Sequence, residues 1–380
     1  MRPTAYINGQ VLQAHGFQSG LAVVVKDSVI VDVVSTENLE KTRYELIDLE
    51  GHSLLPGFID TQVNGGGGVL FNDSPDLDGI RTIVEAHEQF GTTGLLLTLV
   101  SDDLDVVQNG IAAVNAAIEE SIPGVLGIHI EGPFLNAEKR GIHDESKIRK
   151  LTGDIIRELE PVKGGCSIMT IAPETMNPLL IAELREKGFI VSAGHTDATY
   201  GDVRTAIDHG VTGFTHLFNA MAQLGAREPG VVGAALDHDN TWCGVIADGF
   251  HVSPAAIRIA YRCKGPERLM LVTDAMPPVG SDEKRFLLMG RPITAEDGVC
   301  VDDNGTLAGA ALDMASAVRN MMKFTGCSLA EASLMASTSP AEFLGLRHQT
   351  GSIKAGLQAD LVVLDSQMNV VKTIVRGGCS

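Results

Sequence analysis

One feature constrains this chain more than any other. Eight short apolar runs, at residues 55–63, 94–100, 125–130, 167–172, 189–193, 213–217, 242–247 and 269–272, each end in polar or glycine-rich residues. Helical patterns separate most of them. Ile80, Ile83, Val84, His87 and Phe90 recur at helical spacing. Asn177-Pro178 supplies a cap and a first-turn proline, and Gly188 supplies the stop. Thr199-x-x-Asp202 and Ser253-Pro254 open two more helices. The runs are apolar throughout rather than alternating, as strands covered on both faces require. Strand and helix repeated eight times predict an α/β fold, a parallel (β/α)8 TIM barrel.

The two ends read differently. Residues 20–25 and 28–34 are β-branched runs with a turn at Lys26-Asp27, and residues 360–365 and 370–375 repeat the pattern. Such hairpins cannot bury their apolar faces alone. A chain of 380 residues also exceeds one ordinary core. The expectation is a small β-sandwich-like domain formed by residues 1–55 and 350–380. It would flank a barrel domain at 56–349 with a β insertion near 286–308. Ser328-x-x-Glu331 and Ser339-Pro340-Ala341-Glu342 read as capping boxes that open two late helices.

Charge and composition exclude several functions. A formal net charge of −19 repels nucleic acid and anionic membranes. No apolar stretch is long enough to span a bilayer, and Met1-Arg2-Pro3-Thr4 leads straight into strand rather than an apolar leader, so a cytoplasmic location is expected. The six cysteines are scattered without a CxxC pair, which indicates neither a thiolate zinc site nor a redox motif.

The ionisable residues fall at strand ends. Glu131, His195, His216 and Asp274 each follow an apolar run. In a parallel barrel all such ends open on one face. Burying one of these groups costs several kcal/mol unless it is paired or bound to metal. Glu131, His195 and His216 form a His2Glu set, which leaves a coordination position for water. A metal there lowers the pKa of that water, and Asp274 is left as general base. Gln62 ends the first run and could hydrogen-bond the metal's water. His251 could donate to a carbonyl oxygen as charge develops. The run Gly65-Gly66-Gly67-Gly68 lacks the lysine of a phosphate loop and reads as close-approach backbone.

Taken together, several segments resemble the N-acetylglucosamine-6-phosphate deacetylases of the amidohydrolase superfamily, over nearly the whole chain. They are Pro56-Gly57-Phe58-Ile59-Asp60 with Gln62 and Asn64-Gly65, His129-Ile130-Glu131-Gly132-Pro133-Phe134, Ser192-Ala193-Gly194-His195-Thr196 and Thr215-His216-Leu217-Phe218-Asn219-Ala220-Met221. Arg227-Glu228-Pro229-Gly230, Ile246-Ala247-Asp248-Gly249-Phe250-His251, Val272-Thr273-Asp274-Ala275 and Leu307-Ala308-Gly309 complete the set. The resemblance implies hydrolysis of the N-acetyl group of an amino-sugar phosphate. It implies metal binding by Glu131, His195 and His216, with Asp274 as base and then acid. His251 would meet the acetamide carbonyl or a sugar hydroxyl. Asn219 and Ala220 would meet the phosphate, joined by Arg227 from the neighbouring subunit of a homodimer. Ile142 and His143 would line the sugar site, and the segment Leu307, Ala308 and Gly309 would close over it.

This sequence departs from the wider superfamily at the first strand, where many relatives carry His-x-His and bind two metals. Here the positions are Asp60 and Gln62. Gln replaces imidazole poorly as a ligand, so one divalent metal per subunit is expected, zinc first, with iron, manganese or cobalt as alternatives. The acidic chain would repel a phosphorylated substrate, so the phosphate needs local donors. The gluco and galacto epimers of the substrate stay undistinguished at this level, and a non-phosphorylated amide is a further alternative.

Overall fold

The computed structural model describes residues 2–296 and 298–379. Its centre is the expected barrel. Strands β1 (Phe58–Val63), β2 (Thr92–Val100), β3 (Val125–Glu131), β4 (Cys166–Ile171), β5 (Ile190–Ala193), β6 (Val211–Phe214), β7 (Trp242–Ile246) and β8 (Leu269–Val272) pair in sequence order, all parallel. The ring closes at the mouth, where Val63 bridges Ala275 and the Asp274 amide donates to the Gln62 carbonyl at 3.0 Å. Ile59, Leu96, Ile168 and Met270 pack with Phe343 in a buried cluster. Helices such as Leu77–Glu88, whose Ile80, Ile83 and Val84 are buried, wrap the outside. Each apolar strand is thus covered on both faces, which explains its unbroken hydrophobicity.

The first apolar run divides at Gly57. Ser53–Pro56 joins a second sheet, and β1 begins at Phe58. A Cβ on Gly57 would lie 2.1 Å from Thr93, so the chain passes between the two sheets only because no side chain is there. The terminal segments form two sheets. One orders Val29–Ser35, Leu21–Lys26, Thr4–Ile7 and Glu45–Asp48. The other orders Gly378–Cys379, Val370–Val375, Leu361–Leu364, Ser53–Pro56, Gln10–Gln13 and Gly16–Gln18. Tyr6, Val23, Leu54, Leu361 and Ile374 meet in one shared core. The insertion is a four-stranded antiparallel sheet running from Arg285–Leu288 to Leu307–Ala310. Among the described residues, no helix is long and apolar enough to cross a membrane.

Two local expectations need correction. The hairpin turn is Asp27-Ser28, both with positive φ, rather than Lys26-Asp27, because left-handed turn residues match the strand twist. The Ser328–Glu331 capping box forms, but Ser339-Pro340-Ala341-Glu342 caps nothing. Ser339 is already helical, continuing a π-helical segment Leu334–Thr338, and its hydroxyl donates to the Glu267 carbonyl at 3.0 Å. Packing against the barrel prolongs the helix past a local start signal.

Strand β3 ends at Glu131 and carries a local irregularity. Its register against β2 shifts between Leu95 and Leu96, and Gly127 sits opposite Cys166 of β4. Gly127 has φ 154°, and a Cβ there would lie 1.9 Å from the Cys166 carbonyl oxygen. Gly127→Ala should therefore destabilise the protein by about 2 kcal/mol or more, as overpacking against backbone does. An unfolding midpoint in denaturant equal to wild type would show that the bulge does not depend on glycine.

Candidate metal centre and active-site cavity

Glu131 is the last residue of β3, and His195, His216 and Asp274 each lie two residues past the ends of β5, β6 and β8. His195, His216 and Asp274 have φ values of 49°, 31° and 51°. Left-handed backbone costs a non-glycine residue about 1–3 kcal/mol and persists only where surroundings impose it. Each turn sets its side chain at the barrel mouth.

The side chains converge. His216 Nε2 lies 2.8 Å from Glu131 Oε1, His195 Nε2 lies 3.2 Å from the same oxygen, and the two Nε2 atoms are 3.0 Å apart. Donors about 2 Å from a common tetrahedral ion stand roughly 3.3 Å apart, so this spacing suits a cation at their centre. All three residues are buried. The His195 Nδ1–H donates to the Lys139 carbonyl at 2.9 Å, which leaves Nε2 as a bare lone pair. These residues fit a divalent metal by donor type, spacing and tautomer.

Around them the hydrogen bonds are specific. The Gln62 amide donates to Glu131 at 3.1 and 3.2 Å and to Asp274 Oδ1 at 3.2 Å. Gln62 thus holds the two carboxylates together. Asn64 donates to Asp274 Oδ1 at 2.7 Å. Burial by itself raises the Glu131 carboxyl, but the adjoining His195 and His216 rings outweigh it and hold its pKa well below the ordinary value. Asp274 moves the opposite way, raised by burial and then by the charge of Glu131. Two neighbouring carboxyls with pKa values driven apart are suited to different roles, one as ligand and one as proton carrier. Asp60, buried beneath and accepting hydrogen bonds from Thr273 and Gln62, is pushed up to about 7 by burial.

Above the centre lies a cavity of about 350 Å³. Glu131, His195, His216, Asp274, His251, Ile142, His143, Asn219, Ala220, Leu307 and Gly309 all line it. Ala308 does not: it faces the opposite side of its strand and packs with Met276 and Ile293. Arg227 is exposed and lies outside the cavity of its own chain. The Ser101 amide donates to His143 Nδ1 at 3.2 Å, so Nε2–H is the proton His143 can offer elsewhere. Burial and nearby His195 lower the His143 pKa to about 3, so the ring stays neutral. His251 Nδ1 pairs with Asp248 Oδ2 at 2.6 Å, and Asp248 also accepts from the amides of Phe250 and His251.

Sequence reasoning missed Lys139, Asn64, Ser101 and Asp248 as supports. Lys139 acts through its carbonyl, and no pattern of side chains marks that. Asp248 carried a signal in its three-residue spacing from His251. A larger cleft of about 700 Å³ near Lys284 and Asp313 shows no comparable convergence among the described residues. Glu131→Gln should leave the protein, purified and dialysed, with well under one equivalent of metal. A full equivalent by elemental analysis would remove Glu131 from the ligand set.

Residues 53–378 match the amidohydrolase family. An N-acetylgalactosamine-6-phosphate deacetylase of Shewanella sp. (strain ANA-3) is 43% identical, covering 97% of this chain and 93% of its own. An N-acetylglucosamine-6-phosphate deacetylase of Haemophilus influenzae is 34% identical, covering 98% of each chain. The crystal structure of N-acetylglucosamine-6-phosphate deacetylase from Pasteurella multocida superposes with a TM-score of 0.96 at 35% identity, covering 100% of this chain and 99% of that one.

Proposed function

The chain belongs to the amidohydrolase family, and from that premise we propose that it hydrolyses N-acetylglucosamine 6-phosphate to glucosamine 6-phosphate and acetate. The observation that carries this reading is the buried Glu131, His195 and His216 set beside Asp274 in a single cavity. Relatives that match nearly end to end are named for this chemistry.

A divalent cation held by Glu131, His195 and His216 supplies Lewis acidity, which acidifies water and polarises an acyl oxygen. Zinc is the ion proposed, although iron, manganese and cobalt suit the same donors. The remaining work belongs to side chains. Asp274 accepts the proton of the water that attacks the acetyl carbon. Its raised pKa then lets it hand that proton to the departing amine nitrogen. Asn64 and Gln62 fix its carboxyl in place through Oδ1. His251, its Nδ1 braced by Asp248, presents its other ring nitrogen to the acyl oxygen or a sugar hydroxyl. His143 offers Nε2–H, and Ile142 gives the sugar ring an apolar wall.

The phosphate is assigned to Asn219, the backbone at Ala220, and Arg227 of a second subunit. This arrangement makes the protein a homodimer, and the proposal places it in the cytoplasm. A local guanidinium can fork onto phosphate oxygens where a net charge of −19 would otherwise repel them. A second reading, the galacto epimer of the same substrate, is favoured by the 43% identity to the Shewanella enzyme.

Asp274→Asn should keep the fold and the metal while lowering turnover by a factor of about 100 or more. Turnover at the wild-type rate would take Asp274 out of the scheme. Arg227→Ala should raise KM for the phosphorylated sugar with a smaller change in kcat, since it acts far from the reacting carbon. Equal KM values in mutant and wild type would overturn the phosphate assignment. Acetate release measured on both epimers decides between the two readings. Release from neither, with metal bound, would refute both.

A further inference from the structure

Beneath the metal ligands, inside the barrel, lies a second cavity of about 20 Å³. Its polar walls include Thr61, His129, Ser192, Thr215 and His216, with Gly244 alongside. A space of that size holds one water if two or more polar partners face it. One wall residue needs a partner. His216 Nδ1 is buried and, apart from the backbone of its own residue, has no hydrogen-bond partner among the described residues.

The hydrogen bonds around this cavity have a fixed direction. His129 Nδ1 lies 3.0 Å from the Thr61 carbonyl, which can only accept, so Nδ1 carries the proton. His129 is 2% exposed and bonds only a carbonyl and a hydroxyl, as a neutral ring does. Its Nε2 therefore accepts from the Thr170 hydroxyl at 2.7 Å. Thr170 has spent its one hydrogen, so Thr215 must donate to Thr170 at 2.7 Å. Thr215 has then spent its own, so Ser192 must donate to Thr215 at 2.8 Å. The chain ends at Ser192 Oγ, which has only lone pairs left and lines the cavity with His216.

We propose that this cavity is a structural water site, in which the water accepts the Nδ1–H of His216 and donates to Ser192 Oγ. His216 is then held with its proton on Nδ1 and its Nε2 lone pair facing Glu131 and His195. Ser192 becomes a positioning residue for the metal, acting through the water and His216, while Thr215, Thr170 and His129 orient its own hydroxyl. His195 has a carbonyl for the same purpose. His216 receives its partner from a solvent molecule anchored by a polarised hydroxyl chain. This inference rests on the proposed function, in which His216 Nε2 ligates the metal.

The test uses the full-length protein loaded with zinc. A high-resolution crystal structure should show an ordered water within about 3.2 Å of both His216 Nδ1 and Ser192 Oγ. An empty cavity would overturn the proposal. Ser192→Ala should weaken zinc binding about tenfold or more in competition with a chelator, as loss of an outer hydrogen bond to a ligating imidazole does. A lower unfolding midpoint of the metal-free protein with zinc affinity unchanged would assign Ser192 to packing and overturn the proposal. Gly244→Ala gives an independent arm should Ser192→Ala not fold. Its methyl would stand 3.3 to 3.5 Å from Val272 and the His216 amide and take up the water's space. It should lower zinc affinity similarly with Ser192 intact, and an unchanged affinity counts against the water. Wild-type protein that takes up no zinc would instead defeat the proposed function itself, so the two failures are distinct.

Discussion

The structure depends on one electrostatic constraint: a carboxylate enclosed at the barrel mouth with two imidazole nitrogens within 3.2 Å of one of its oxygens. A group like Glu131 cannot be buried among apolar strands without compensation. Here compensation comes from His195, His216 and Gln62, delivered from three separate strand ends. No local segment could hold them together. Only the closed ring of eight parallel strands fixes their spacing, and it does so rigidly enough to keep three of the surrounding residues in left-handed backbone.

From that constraint comes the division of labour. Glu131 is kept ionised by the imidazoles, and its charge, together with burial, raises Asp274. The two carboxyls share Gln62 as a common donor. The Gln62 amide bridges the two carboxyls and fixes their orientation without adding charge.

Much was legible beforehand because strong physical signals are local. Doubly buried strands must be apolar, so their number and order could be read directly. Gly188 ending its helix in left-handed backbone, and the capping boxes at Thr199 and Ser328, are likewise local. Ser339 misled because its hydroxyl found a tertiary partner in Glu267. Ala308 misled because strand alternation turns it away from the cavity that its neighbours Leu307 and Gly309 line. The break at Gly57 was hidden inside a continuous apolar run, because hydrophobicity does not say which sheet a residue joins.

The sequence by itself determined which elements form, in what order, and which ionisable residues stand at strand ends. These properties depend on periodicity, side-chain burial and turn chemistry over a few residues. The tertiary structure alone decided where each donor is spent. The Lys139 carbonyl on His195, the Gln62 amide across two carboxylates, and the hydroxyl chain from Ser192 to His129 join residues up to 212 positions apart. Hydrogen bonds are short and directional, so their partners are set by three-dimensional closure of the barrel.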